Sequence, residues 1–229
     1  MKISTYIPLN TDIAAGVPGR GSGIYMWADS CWLLSDRPLY IPDFAESFVA
    51  IPALAVKSAR LGKSIPPRFS LRYIGDWTAS IIILPAGIES DFRSGLPIDI
   101  ASLCFDNAIV IGDWQKSRPI PAPLPPAEEA PAGASQMLPD KLEIVFTPAS
   151  GDKDTVTEGI ERCQPVTLSP GEWPDAITRI SQNNVVKTGD ITLFPADVSY
   201  RLSPGDSIRI FISGNSADHD NPILITKFK

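Results

Sequence analysis

Histidine is nearly absent from this chain: His219 is the only one among 229 residues. Chemistry that needs an imidazole base or several imidazole metal ligands therefore has one candidate, near the C-terminus. Cysteine is scarce too. Cys31, Cys104 and Cys163 give an odd count with no CxxC spacing, which argues against a disulfide framework or a thiolate zinc site and suits a reducing, cytoplasmic setting. Basic residues are outnumbered, 20 Lys and Arg against 26 Asp and Glu, for a net charge of −6. They form no stripe, so a phosphate backbone is an unexpected partner. No apolar run approaches the roughly 18 residues of a membrane span, the longest being strand-sized stretches such as Ile81–Leu84. The opening MKISTYIPLN has one Lys and no apolar core, so no secretory signal is expected. No G-x-S-x-G occurs, and Gly19–Gly23 lacks the Lys of a phosphate cradle.

What the chain does have is apolar material and proline. Hydrophobic residues make up 44% and mean hydropathy is +0.05, enough for one sizeable core. There are 23 Pro, about twice the usual ~5%. Many fall in Arg118–Asp140, a Pro/Ala-rich stretch with no apolar period, which reads as an extended loop or linker inside a single domain spanning 1–229. A PxxP spacing at Pro121–Pro126 raises peptide docking as a minor alternative.

Short β-like runs dominate elsewhere. Gly23–Trp27, Leu39–Ile41, Phe48–Ala59, Ile81–Leu84 and Asn107–Ile111 precede the loop, and Pro52 predicts an edge, bulge or break in its run. Phe69, Tyr73 and Trp77 recur every four residues, predicting a helix over Pro67–Ser80. After the loop, Lys141–Thr147 alternates as a strand, Gly171–Gln182 carries an amphipathic helix pattern, and Ile191–Phe194, Ser207–Ser213 and Pro222–Phe228 read as strands. The fold class expected is α+β, β-rich, with few short helices.

The order of short motifs resembles the fumarylacetoacetate hydrolase family. Tyr25-Met26-Trp27-Ala28-Asp29-Ser30 is similar to its F-M-K-P-D-S segment, and Ile41-Pro42-Asp43-Phe44 to its apolar-P-D-F turn. Gly62-Lys63-Ser64-Ile65 stands where the family has G-K-N-I, Gly95-Leu96-Pro97 where it has G-x-P, and Phe105-Asp106-Asn107 at the end of its K-G-F-D. Lys187-Thr188-Gly189-Asp190 and Ser203-Pro204-Gly205-Asp206 resemble its two G-D turns. The collinear match covers about residues 23–112 and 141–229. The resemblance implies a mixed β-roll, usually dimeric. It also implies a divalent metal held by an E-x-E strand and a later Asp, with a Lys, a His–Glu pair and a T-G-T-P loop around a 2-oxo acid or β-diketone.

Those roles do not carry over. The E-x-E ligands fall on Ile51 and Ala53, and the Asp on or near Ile81. The Lys before G-F-D falls on Leu103, the earlier F-M-K lysine is Trp27, and T-G-T-P is replaced by Phe194-Pro195-Ala196-Asp197. No His precedes residue 219, and no carboxylate lies between Glu46 and Asp76. A hard cation needs oxygen ligands, so neither metal nor other cofactor is expected. The expectation is a catalytically inactive homodimer, or a partner of an active relative. The alternative is a divergent hydrolase, isomerase or decarboxylase with a relocated site. Asp29, Asp43, Asp76 and Asp106 are then the nearest carboxylates. Glu89, Asp91, Glu158, Glu161 and the Asp218-His219-Asp220 tract read as capping or solvated groups.

Overall fold

A computed structural model describes residues 1–8, 22–149, 162–212 and 221–229. Its elements run β1 (Ile3–Pro8), β2 (Ser22–Trp27), β3 (Trp32–Leu34), β4 (Pro38–Leu39), β5 (Phe48–Ser58), β6 (Ile74–Pro85), α1 (Glu89–Arg93), α2 (Ile100–Leu103) and β7 (Ile109–Ile111). They continue as α3 (Ala130–Met137), β8 (Lys141–Thr147), β9 (Arg162–Thr167), α4 (Trp173–Asn183), β10 (Ile191–Pro195), β11 (Tyr200–Arg201), β12 (Ser207–Ile212) and β13 (Leu224–Phe228). Short 3-10 turns sit at Asp29–Cys31 and Pro67–Tyr73.

Two sheets result. The larger has the order β2-β1-β10-β5-β6-β7-β3, with β11 also on β5, and the smaller runs β4-β13-β12-β8-β9. Strands β5 and β6 form a long antiparallel pair at the centre of the larger sheet. Both are apolar on both faces, as expected of a strand covered on each side. The pleat sends alternate residues to opposite faces. Ala50, Leu54, Val56, Ala79, Ile81 and Ile83 enter a core shared with the smaller sheet and α4, through Ile144, Ile210 and Trp173. Val49, Ile51, Ala53, Ala55, Ile82 and Leu84 enter a second core, which Phe92 of α1 and Leu103 of α2 cover.

Three local expectations change. Residues 74–80 are strand, not helix: only Pro67–Tyr73 is helical, as a 3-10 turn. The spacing of Phe69, Tyr73 and Trp77 is coincidental, because burial on both faces erases any sheet periodicity that would have competed with it. The Pro52 run is neither edge nor break. Strand β10 pairs with β5 up to Ala53 and β11 pairs from Ala50. Pro52 falls in the gap between them, where its carbonyl accepts from Ala196 N and a missing N–H costs little. A register shift does occur, between Val56 and Ser58. Finally, 118–140 is not wholly extended. It contains α3, whose Ala130, Gly133, Ala134 and Met137 are buried. Gly133 lies so close to Leu71 that an added Cβ would stand 2.6 Å from Leu71 Cδ1.

Candidate functional site

The second core is where the family resemblance sets its metal. Ile51 lies opposite Ile82 across the β5–β6 ladder, and Ala53 lies opposite Ser80. Directly opposed residues share a face. Ile51, Ala53 and Ile82 are fully buried there, with Trp27 of β2 and Leu103 of α2 in the same cluster. Four positions matched from sequence, Trp27, Ile51, Ala53 and Leu103, thus all belong to the second core, with Trp27 at the level of Lys57 rather than of Ile51 along the sheet. Ile81 does not. It pairs with Pro52 and points into the first core, so the strand position that faces Ile51 is Ile82. A one-residue slip in alignment reverses the face of a strand residue, which accounts for the miss.

The few polar atoms of this region are engaged within the protein. Trp27 Nε1 donates to Thr5 Oγ1 at 2.8 Å, and Ser80 Oγ donates to Val110 O at 2.8 Å. The Tyr25 hydroxyl donates to Leu96 O at 2.7 Å and its ring stacks on Phe92, fixing α1 over the core. The candidate carboxylates lie apart. Asp29, Asp43 and Asp106 are exposed, and Asp76 is ion-paired with Lys116 at 3.0 Å. Glu89 pairs with Arg93 at 2.8 Å. Among the described residues no three His, Cys, Asp or Glu side chains gather as a metal would require. Glu158, Glu161 and His219 lie outside the described residues. A hard divalent ion does not fit beside Ile51, Ala53 and Ile82, since burying its charge without anionic oxygens is prohibitive.

The retained motifs have structural work. Asp190 accepts from Lys2 N and Lys187 N, both at 2.9 Å. Asp206 accepts from Ala149 N at 2.7 Å and Ser203 N at 2.8 Å. Gly189 and Gly205 before them hold φ of +86° and +96°, where side chains are rarely accommodated. Each Gly-Asp pair is a backbone turn tied down by a buried carboxylate.

Sequence reasoning missed a neighbouring cavity of about 140 Å³, bordered by Tyr6, Arg93, Glu172, Phe194 and Asp197. Arg93 donates from Nε to Glu89 and from Nη1 to Ala196 O, while its buried Nη2 has no hydrogen-bond partner among the described residues. Burial, and then the Asp175 carboxylate, push Glu172 up from its ordinary value. The only sequence signal for this cavity was the altered Phe194–Asp197 loop.

No family model and no curated protein matches the sequence. Solved structures do match. A fumarylpyruvate hydrolase from Pseudomonas aeruginosa, in complex with Mn2+ and pyruvate, is similar over 100% of this chain and 89% of its own at TM-score 0.63 and 11% identity. A 5-carboxymethyl-2-hydroxymuconate delta-isomerase from Mycobacterium smegmatis is similar over 99% and 76% at TM-score 0.64 and 14% identity. A Yersinia pestis protein placed in the fumarylacetoacetate hydrolase family is similar over 100% and 92% at TM-score 0.66 and 14% identity. The chain therefore has the fumarylacetoacetate hydrolase fold, as its motif order led one to expect.

Proposed function

We propose that this chain is a catalytically silent protein of the fumarylacetoacetate hydrolase fold that acts by binding or assembly, as a homodimer. The observation that carries the reading is that Ile51, Ala53 and Ile82 are fully buried apolar residues on one face of the β5–β6 pair, in the same apolar core as Trp27 and Leu103. Apolar burial on that scale stabilises the fold by roughly 1.5–3 kcal/mol for each large side chain. An enzyme forgoes such stability to hold charges in place. The turns that shape the backbone carry Gly-Asp pairs held by buried carboxylates, which supports a scaffold that stands without the family's chemistry.

Purified protein should give no magnesium- or manganese-dependent turnover of acylpyruvates or oxaloacetate, and should sediment as a dimer. Metal-dependent turnover at ordinary enzymatic rates would refute the silent reading. A monomer at all concentrations would refute the assembly.

A further inference from the structure

The turn before β4 and the final strand β13 border a groove of about 330 Å³ on the smaller sheet. Backbone bonds fix both of its walls. Ser35 Oγ accepts from Ile225 N at 2.9 Å, and Asp36 N donates to Ile225 O at 2.8 Å. Pro38 pairs with Lys227 in the parallel β4–β13 ladder, and Lys229 N donates to Leu39 O at 2.8 Å. The fold itself therefore sets the shape of the groove.

Three cations line it: Arg37 from the turn, Lys227 and Lys229 from the strand. All three are exposed. Residues two apart on a strand leave the same face roughly 7 Å from each other, so one anion with several charges can touch both lysine heads. Among the described residues none of the three forms an ion pair, although the chain has 26 Asp and Glu for 20 Lys and Arg. Asp36 is the one carboxylate side chain that lines the groove among those residues. Lys229 Nζ lies instead 5.8 Å from the centre of the Tyr40 ring. Thr226 also borders the groove. It is almost fully buried, and its hydroxyl has no hydrogen-bond partner among the described residues. A buried hydroxyl ordinarily has one, from the protein, water or a ligand.

We propose that this groove is a binding site for a small multivalent oxyanion, one with two or more anionic oxygen groups a few ångströms apart. The guanidinium of Arg37 offers a planar fork to paired oxygens, and the two ammonium groups act as point charges beside it. A chain of net charge −6 has no general attraction for anions. An anion that binds must therefore find positive charge gathered in one place, and this groove gathers it. The site lies on the smaller sheet, apart from the second core. Its failure would leave the silent reading of that core standing, because turnover and sedimentation test that reading separately.

The test is isothermal titration calorimetry of the full chain in low salt, with inorganic pyrophosphate and, separately, citrate. One saturable site per chain is expected for at least one of them, and the tighter of the two identifies the phosphoryl or the carboxylate class. Lys227→Gln and Arg37→Gln should each weaken that binding roughly fivefold or more. Both side chains are exposed, so these variants should fold like the parent, which circular dichroism checks. Lys141→Gln removes the same charge from an exposed position at the other end of β8 from the level of Lys227. It should leave the affinity within about twofold, since salt screens a charge that distant. No saturable heat with either anion would overturn the proposal. So would equal weakening by Lys141→Gln, which would reduce the binding to overall charge.

Discussion

Ser64 occupies a backbone conformation that suits a different residue. Its φ is +52°, in the left-handed region that Asn and Gly tolerate and other residues resist by roughly 1–2 kcal/mol. The family-like turn has Asn at this place, and the turn is held by Ser64 N donating to Ser181 O at 2.8 Å. Ser64→Asn should therefore stabilise the protein by about 0.5–1 kcal/mol in chemical denaturation. Glu172 supplies a pH signature. Its folded proton affinity is raised by burial and by Asp175. Such a carboxyl costs nothing extra while both folded and unfolded states are protonated. The penalty appears as pH rises past the unfolded value, where only the unfolded chain gives up its proton. Glu172→Gln should thus raise the melting temperature relative to the parent more at pH 7 than at pH 4. An equal effect at both pH values would remove burial as the cause. At this scale the burial of Ile51, Ala53 and Leu103 was legible in the sequence, because they lie in or beside apolar runs bounded by turn residues. The face to which Ile81 points was not, because a single-residue error is invisible inside the all-apolar run Ile81–Leu84.

The elements depend on a few close approaches. Gly112, just after β7, lies where the two sheets meet. A Cβ there would stand 2.4 Å from Ile223 O and 2.9 Å from Thr78 Oγ1. Asp113 N donates to the same Ile223 oxygen at 2.7 Å, so the backbone has no freedom to retreat. Gly112→Ala should cost about 2 kcal/mol or more, read as a lower denaturation midpoint with an unchanged slope. Strands with one face more buried than the other, such as β8 and β12, were legible because alternation marks them. The β6 strand was partly hidden, since a strand buried on both faces has no period. Helix α3 was hidden more fully: Pro and Ala dominate its sequence, and its small buried face (Ala130, Gly133, Ala134) is set by a neighbour, Leu71, some sixty residues earlier.

Across the whole molecule, one large sheet separates two cores, and the division decides what the protein can do. The first core joins the sheets and α4 into a body. The second lies under α1 and α2, where the family resemblance calls for acidic side chains, and here it is filled by apolar ones. The sequence disclosed the residues and their order but not their shared core, which arises only when β2, β5, β6 and α2 are brought onto one side of the sheet by long-range pairing. The most direct test is a manganese titration of the metal-free protein followed by electron paramagnetic resonance. The free-ion signal should grow linearly from the first addition, with no saturable loss. One equivalent of manganese bound per chain at micromolar affinity would contradict the account.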